Sequence, residues 1–216
     1  MPQTFKPPPE LAATAEQTGR TMPGTGSMPT PGLVDVPLDP AGLSALPCRA
    51  FVEALAGVLE YAPQLVERAW EKRPFDDLAD LYGQLMEELQ FATEVEKRQL
   101  MAAHGDLGDA LGVEGHLSLA CLHEQRAAGL LSGPRAERER LLLLSTRYRR
   151  RFGFPCLIAL QPLGRGQVIR MLARRVRNPA EIEFAENLRQ LGLIVSYRIH
   201  ERTARRRWQR GSGLSA

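Results

Sequence analysis

The chain has no apolar run long enough to cross a bilayer. A spanning helix needs roughly 20 apolar residues, and the longest stretches here, Leu141 to Leu144 and Cys156 to Leu160, are far shorter. The first residues carry one lysine and then prolines, not a basic cap and an apolar core, which argues against a secretory signal. Cysteine is scarce. Cys48, Cys121 and Cys156 are an odd number without a CxxC pair, which argues against a disulfide framework and a structural zinc site. These absences lead us to expect a reduced, cytoplasmic, soluble protein without membrane association. GxSxG, P-loop, GxGxxG and HExxH patterns are missing as well, so neither a hydrolase elbow nor a nucleotide cradle is expected. Alternating β-runs are absent too, which removes a layered α/β fold.

Charge is uneven along the chain. Between Arg165 and Arg210 twelve arginines face four glutamates, whereas the remainder holds 16 basic and 21 acidic residues. The densest part, Arg202 to Arg210, is read as a solvated chain end and not as a nucleic-acid surface, because charge runs at termini usually stay solvated.

Residues 1–42 read as a disordered leader. Nine of the sixteen prolines fall within the first 40 residues, and the segment shows no apolar periodicity with which to offset chain entropy. Residues 43–203 read as one all-α domain, and 204–216 as a basic flexible tail. Helical spacing runs through Phe51, Leu55, Val58, Leu59 and Tyr61, then from Pro63 to Trp70, from Leu78 to Phe91 and from Val95 to Met101. Ser118 is placed to cap a helix that Gly129 stops, and Pro134 to open a long helix reaching Arg151. Cys156 to Leu160 reads as a short strand or extended segment, followed by a helix to Arg175. Asn178-Pro-Ala-Glu181 reads as the cap of the last helix.

Three features carry chemistry. His104 lies in a glycine-rich loop beside Asp106, where an imidazole can exchange protons near neutral pH; a structural histidine is the plainer reading. Cys121, Glu124 and Gln125 share one helix face through i, i+3 and i+4 spacing, forming either a polar ligand surface or a solvated face. His116 and His123 stand seven apart without a zinc-binding pattern, so no metal site is expected. Cys156, inside an apolar run, reads as a buried inert thiol and not as a nucleophile.

Taken in order, the motifs form a series. They are Phe51 to Pro63, Arg73-Pro74-Phe75, His104-Gly-Asp106-Leu107, Leu117-Ser118-x-x-Cys121-x-x-Glu124-Gln125, Tyr148-x-x-x-Phe152-Gly-Phe-Pro155, Arg175-Val-x-Asn178 with Glu183, and Tyr197-Arg198-Ile199. The series resembles the OHCU decarboxylase family (2-oxo-4-hydroxy-4-carboxy-5-ureidoimidazoline decarboxylases) from about Leu46 to Glu201. The resemblance implies the family's all-α fold, a homodimer, no metal or organic cofactor, and decarboxylation of OHCU to (S)-allantoin in urate breakdown. It also implies His104 as the acid/base residue. Glu124 and Gln125 match the substrate-binding carboxylate and amide. Cys156, Leu157, Ile158, Ala159 and Leu160 match the stretch whose backbone meets the ligand. Arg175 and Arg198 match recurrent arginines, placed either to counter substrate charge or to pair with Glu181 or Glu183.

Two binding positions depart from the pattern. Gly105 stands where the family has proline and Cys121 where it has serine. Glycine gives up a fixed φ, and a thiol is a weaker donor than a hydroxyl. A divergent relative that acts on or binds another small acid therefore stays open, as does a helical interaction module using the arginine-rich end.

Overall fold

The computed structural model describes residues 38–108 and 118–211, with 204–211 as backbone. Nine α-helices and no strand occur among the described residues: α1 (Pro40–Ala45), α2 (Cys48–Leu55), α3 (Pro63–Trp70), α4 (Leu78–Phe91), α5 (Glu94–Ala102), α6 (Leu119–Ala127), α7 (Arg135–Phe152), α8 (Arg165–Arg175) and α9 (Ala180–Gly211). None of them is long and apolar enough to span a membrane.

Local chemistry sets most of the boundaries. Asp77 caps α4 by accepting from the Asp80 amide at 2.8 Å, and Thr93 with Glu96 forms a reciprocal capping box on α5. Ser118 caps α6 through the Cys121 amide at 3.0 Å. The left-handed φ of 80° at Gly153 ends α7, where a side chain would strain the backbone.

Helices α2 and α3 pack together, α3 on α4, α7 on α8 and α4 on α9. Phe51, Leu55, Leu65, Leu81, Leu85 and Met101 fill one continuous core together with Leu141, Tyr148, Val168, Leu172 and Val195. A fully buried leucine or phenylalanine of this kind contributes about 1.5–3 kcal/mol.

Four boundaries differ from the sequence expectation. Leu38 is buried and α1 begins at Pro40, so part of the expected leader belongs to the packed domain; residues 1–37 lie outside the described residues. The helix expected through Tyr61 stops at Leu55, and the chain turns before Pro63. Asn178 does not cap α9. Its amide donates to the Glu183 carboxylate at 2.8 Å, and Pro179 directly precedes the helix. At the other end, the α9 backbone runs through Gly211, past the expected start of the tail.

Candidate active site

The site forms around a buried imidazole. His104 follows α5 and is 6% exposed. Its Nδ1 lies 2.8 Å from the Leu100 carbonyl oxygen. A carbonyl only accepts, so Nδ1 carries the proton and Nε2 presents its lone pair. Nε2 is buried and has no hydrogen-bond partner among the described residues. Burial is the main force lowering the imidazole pKa below its ordinary value; Arg198 adds to it, while the Leu100 bond and Glu60 oppose it. The ring is therefore neutral at neutral pH. The Tyr61 ring stands edge-on to it, with centroids 5.0 Å apart.

Near the imidazole lies a charge triad with two buried members, Glu60 and Arg198, and a half-buried one, Glu124. Arg198 of α9 donates from Nε to Glu124 at 2.7 Å and from Nη2 to the same carboxylate at 3.2 Å. Its Nη1 stands 2.9 Å from Glu60 Oε2. Arg198 and Glu60 are each buried. Desolvation weakens the arginine cation, but the two carboxylates outweigh it and hold the guanidinium charged. Cys121 sits in the same electrostatic neighbourhood. Burial pushes its thiol up to about 11, so it stays protonated. Ala159, Leu160 and Gln161 join Glu124, Tyr197 and Arg198 around a narrow hollow of about 10 Å³, room for a single water.

The loop that carries His104 is clamped from two helices, α6 and α7. Gln125 Oε1 accepts from the Gly108 amide at 2.8 Å. Ser145 donates to the Leu107 carbonyl at 2.9 Å. Arg149 binds Asp106 at 2.7 Å and the His104 carbonyl at 3.0 Å.

The extended segment before α8 is nailed down in the same way. Asn187 accepts from the Leu157 amide at 2.9 Å and donates to the Pro155 carbonyl at 2.8 Å. Gln190 accepts from the Ala159 amide at 2.8 Å. Among the described residues, no group of three or more His, Cys, Asp or Glu is placed to hold a metal ion.

The sequence model of the OHCU decarboxylase family matches residues 44–200. The chain belongs to the OHCU decarboxylase family. It is 31% identical over 153 residues to the 2-oxo-4-hydroxy-4-carboxy-5-ureidoimidazoline decarboxylase of Haloferax volcanii, covering 71% of this chain and 89% of that protein. The Bos taurus protein of the same name is 32% identical over 149 residues, 69% of this chain and 88% of that one. With the uric acid degradation bifunctional protein of Bacillus sp. (strain TB-90) the identity is 28% over 159 residues; this is 74% of the present chain but only 31% of that larger protein. Among solved structures, (S)-allantoin synthase superposes with a TM-score of 0.60 at 21% identity, over 76% of this chain and 54% of that one, which is a similarity of fold.

In this OHCU decarboxylase family member, then, the sequence-derived candidates separate into two sets. Glu124, Ala159 and Leu160 line the hollow with Arg198, and His104 and Cys121 lie in the electrostatic reach of Glu60 and Arg198. Gln125 is fully buried, and its amide is engaged by Gly108, by the Asp106 carbonyl at 3.4 Å and by Cys121 Sγ at 3.5 Å, so it holds the loop. Gly105 is not among the glycines with positive φ, so its lack of a side chain is not needed for backbone shape. Cys156 and Leu157 sit with Arg175, and burial drives the Cys156 thiol up to about 12, as expected of an inert thiol.

Arg175 itself is 1% exposed. It binds Glu183 from Nε at 2.6 Å, the Leu157 carbonyl at 2.6 Å and Asn187 at 2.7 Å. Of the two roles open to it, pairing with Glu183 is the one present, and its guanidinium is taken up in fixing the extended segment. For Arg198 the expected salt-bridge partners, Glu181 and Glu183, are replaced by Glu60 and Glu124. Glu60, Tyr61 and Arg149 escaped sequence reasoning as site residues. Glu60 left a usable trace: a lone acid directly after Val58 and Leu59, all three buried, where an acid is costly unless paired.

Proposed function

We propose that the chain decarboxylates OHCU to (S)-allantoin, with His104 as the proton carrier. The observation that carries the reading is the buried, neutral imidazole whose Nε2 has no hydrogen-bond partner among the described residues and which lies in the electrostatic reach of Glu60 and Arg198. OHCU bears a hydroxyl and a carboxylate on one carbon. When the bond to the carboxylate breaks, carbon dioxide leaves and the electron pair passes through the ring carbon–nitrogen double bond onto its nitrogen, which takes a proton from water and leaves an enol. His104 Nε2 takes the hydroxyl proton of the resulting enol and returns a proton to the adjacent carbon from one side only, which fixes the product's hand.

The remaining groups set the field. Arg198 is already shared by two carboxylates, so the triad carries a net negative charge. A substrate carboxylate brought beside it loses water without gaining a free cation, and departure as neutral carbon dioxide relieves that state. Glu124 would accept from ureido N–H groups, and the backbone amides of Ile158 and Leu160 would donate to ring oxygen. Gln125, Ser145 and Arg149 act as positioning residues for the His104 loop. The family resemblance further supports a homodimer acting in the cytoplasm.

Freshly generated OHCU is the test substrate. The chain should speed carbon dioxide release and give allantoin with the circular dichroism of the S form. Racemic product formed at the spontaneous rate would refute the reading. A second reading, a relative serving another small acid, draws on Gly105 and Cys121 at the site. It predicts faster turnover of that acid than of OHCU.

A further inference from the structure

Tyr61 is the only residue other than glycine with a positive φ, 61°, among the described residues. A bulky L-residue there is strained, and such strain persists only where the surroundings enforce it. Its neighbours are fixed: Glu60 is held by Arg198, and Ala62 is fully buried before Pro63 opens α3. The left-handed turn has a clear consequence. Two consecutive side chains, the Glu60 carboxylate and the Tyr61 ring, both approach the same imidazole, where an extended backbone would send them to opposite sides.

We propose that Tyr61 is a positioning residue for His104: its ring covers one side of the imidazole, excludes water from it and fixes the direction of Nε2. The inference rests on the reading of His104 as proton carrier. The ring edge lies against the imidazole with centroids 5.0 Å apart and an interplanar angle of 72°. Tyr61 is 41% exposed while His104 is 6% exposed, so a partly solvent-facing ring packs on a buried one. Other groups around the imidazole also act on its charge. Glu60 favours the protonated ring and Arg198 opposes it, and Arg149 from α7 binds the His104 main-chain carbonyl and the neighbouring Asp106. The Tyr61 contribution is to keep water from screening these opposed charges and from solvating an imidazolium, which holds the ring neutral.

The test replaces the ring without disturbing the backbone. Tyr61→Asn tolerates the left-handed conformation and removes the ring; Tyr61→Phe keeps the ring and removes the hydroxyl. The titration midpoint of the His104 imidazole is read by NMR without substrate, with melting curves as a check on folding. In Tyr61→Asn the midpoint should rise toward the ordinary imidazole value. The acid limb of the kcat profile should rise with it, and kcat at neutral pH should fall by about tenfold, less than the ~100-fold or more expected on losing a proton-transfer group, with KM moving less. In Tyr61→Phe the midpoint should stay in place. An unchanged midpoint in folded Tyr61→Asn, or an equal rise in Tyr61→Phe, overturns the inference. Absence of OHCU turnover by the wild type would instead overturn the proposed reaction, and the midpoint would still decide the role of Tyr61.

Discussion

Arg198 reaches Glu124 across 74 positions of sequence, Nε to Oε1 at 2.7 Å, and so ties α9 to α6 beside the small hollow that both residues line. Because Glu60 takes the remaining side of the guanidinium, one cation bridges two carboxylates that would otherwise repel each other in a water-poor space.

That arrangement makes Arg198→Met costly. Two uncompensated carboxylates should lower stability by about 3–5 kcal/mol, read from the urea midpoint at neutral pH. The loss should shrink in acid. Without the arginine the folded carboxylates hold protons more tightly than the unfolded ones, so lowering the pH favours the folded variant. A loss below about 1 kcal/mol, the size of an exposed pair, would contradict the burial of the triad.

The anchoring of the extended segment gives a separate expectation. Asn187→Ala strips the partner from the Leu157 amide and the Pro155 carbonyl. Unsatisfied buried groups cost about 1–3 kcal/mol, and amide hydrogen exchange at Leu157 and Ala159 should accelerate together. Exchange at Leu157 that stays as slow as in the wild type would contradict the proposed clamp.

Much of this fold is legible in the sequence because its signals are local. Ser118 and Asp77 announce helix starts, Gly153 a helix end, and the apolar run Cys156 to Leu160, flanked by Pro155 and Pro162, an extended piece. The site is less legible, for a physical reason. Glu60, His104, Glu124 and Arg198 come from four different parts of the chain, and only packing brings them together. Gln125 and Arg175 show the converse: both are polar residues in motif positions, and both are taken up by backbone groups that the sequence does not reveal. The turn at Tyr61 was hidden because Phe51, Leu55, Val58 and Leu59 keep helical spacing although the helix ends at Leu55.

Stability should also follow the protonation of His104. Its folded pKa is depressed, so between the folded and unfolded values only the unfolded imidazole takes up a proton. Stability is then fully present above about pH 6.5 and declines as the pH falls, with a slope of at most about 1.4 kcal/mol per pH unit. Urea unfolding at several pH values should show this decline, and His104→Gln should flatten it. An identical slope in the variant would contradict a neutral buried imidazole.

The family resemblance leads us to expect proline at position 105 and serine at position 121, and both can be introduced. Cys121→Ser restores a stronger hydrogen-bond donor, and Gly105→Pro stiffens the loop before Asp106. One improved hydrogen bond is worth about 0.5–1.5 kcal/mol, so Cys121→Ser should raise kcat/KM for OHCU by about two- to tenfold. No gain in the double replacement Gly105→Pro with Cys121→Ser would count against a site degraded by these changes.

The most direct test compares wild type with His104→Ala on freshly made OHCU, following the optical activity of the product. The account predicts that the variant folds but loses at least about 100-fold in kcat, and that its product loses its hand. Equal rates of (S)-allantoin formation by the two proteins would contradict it.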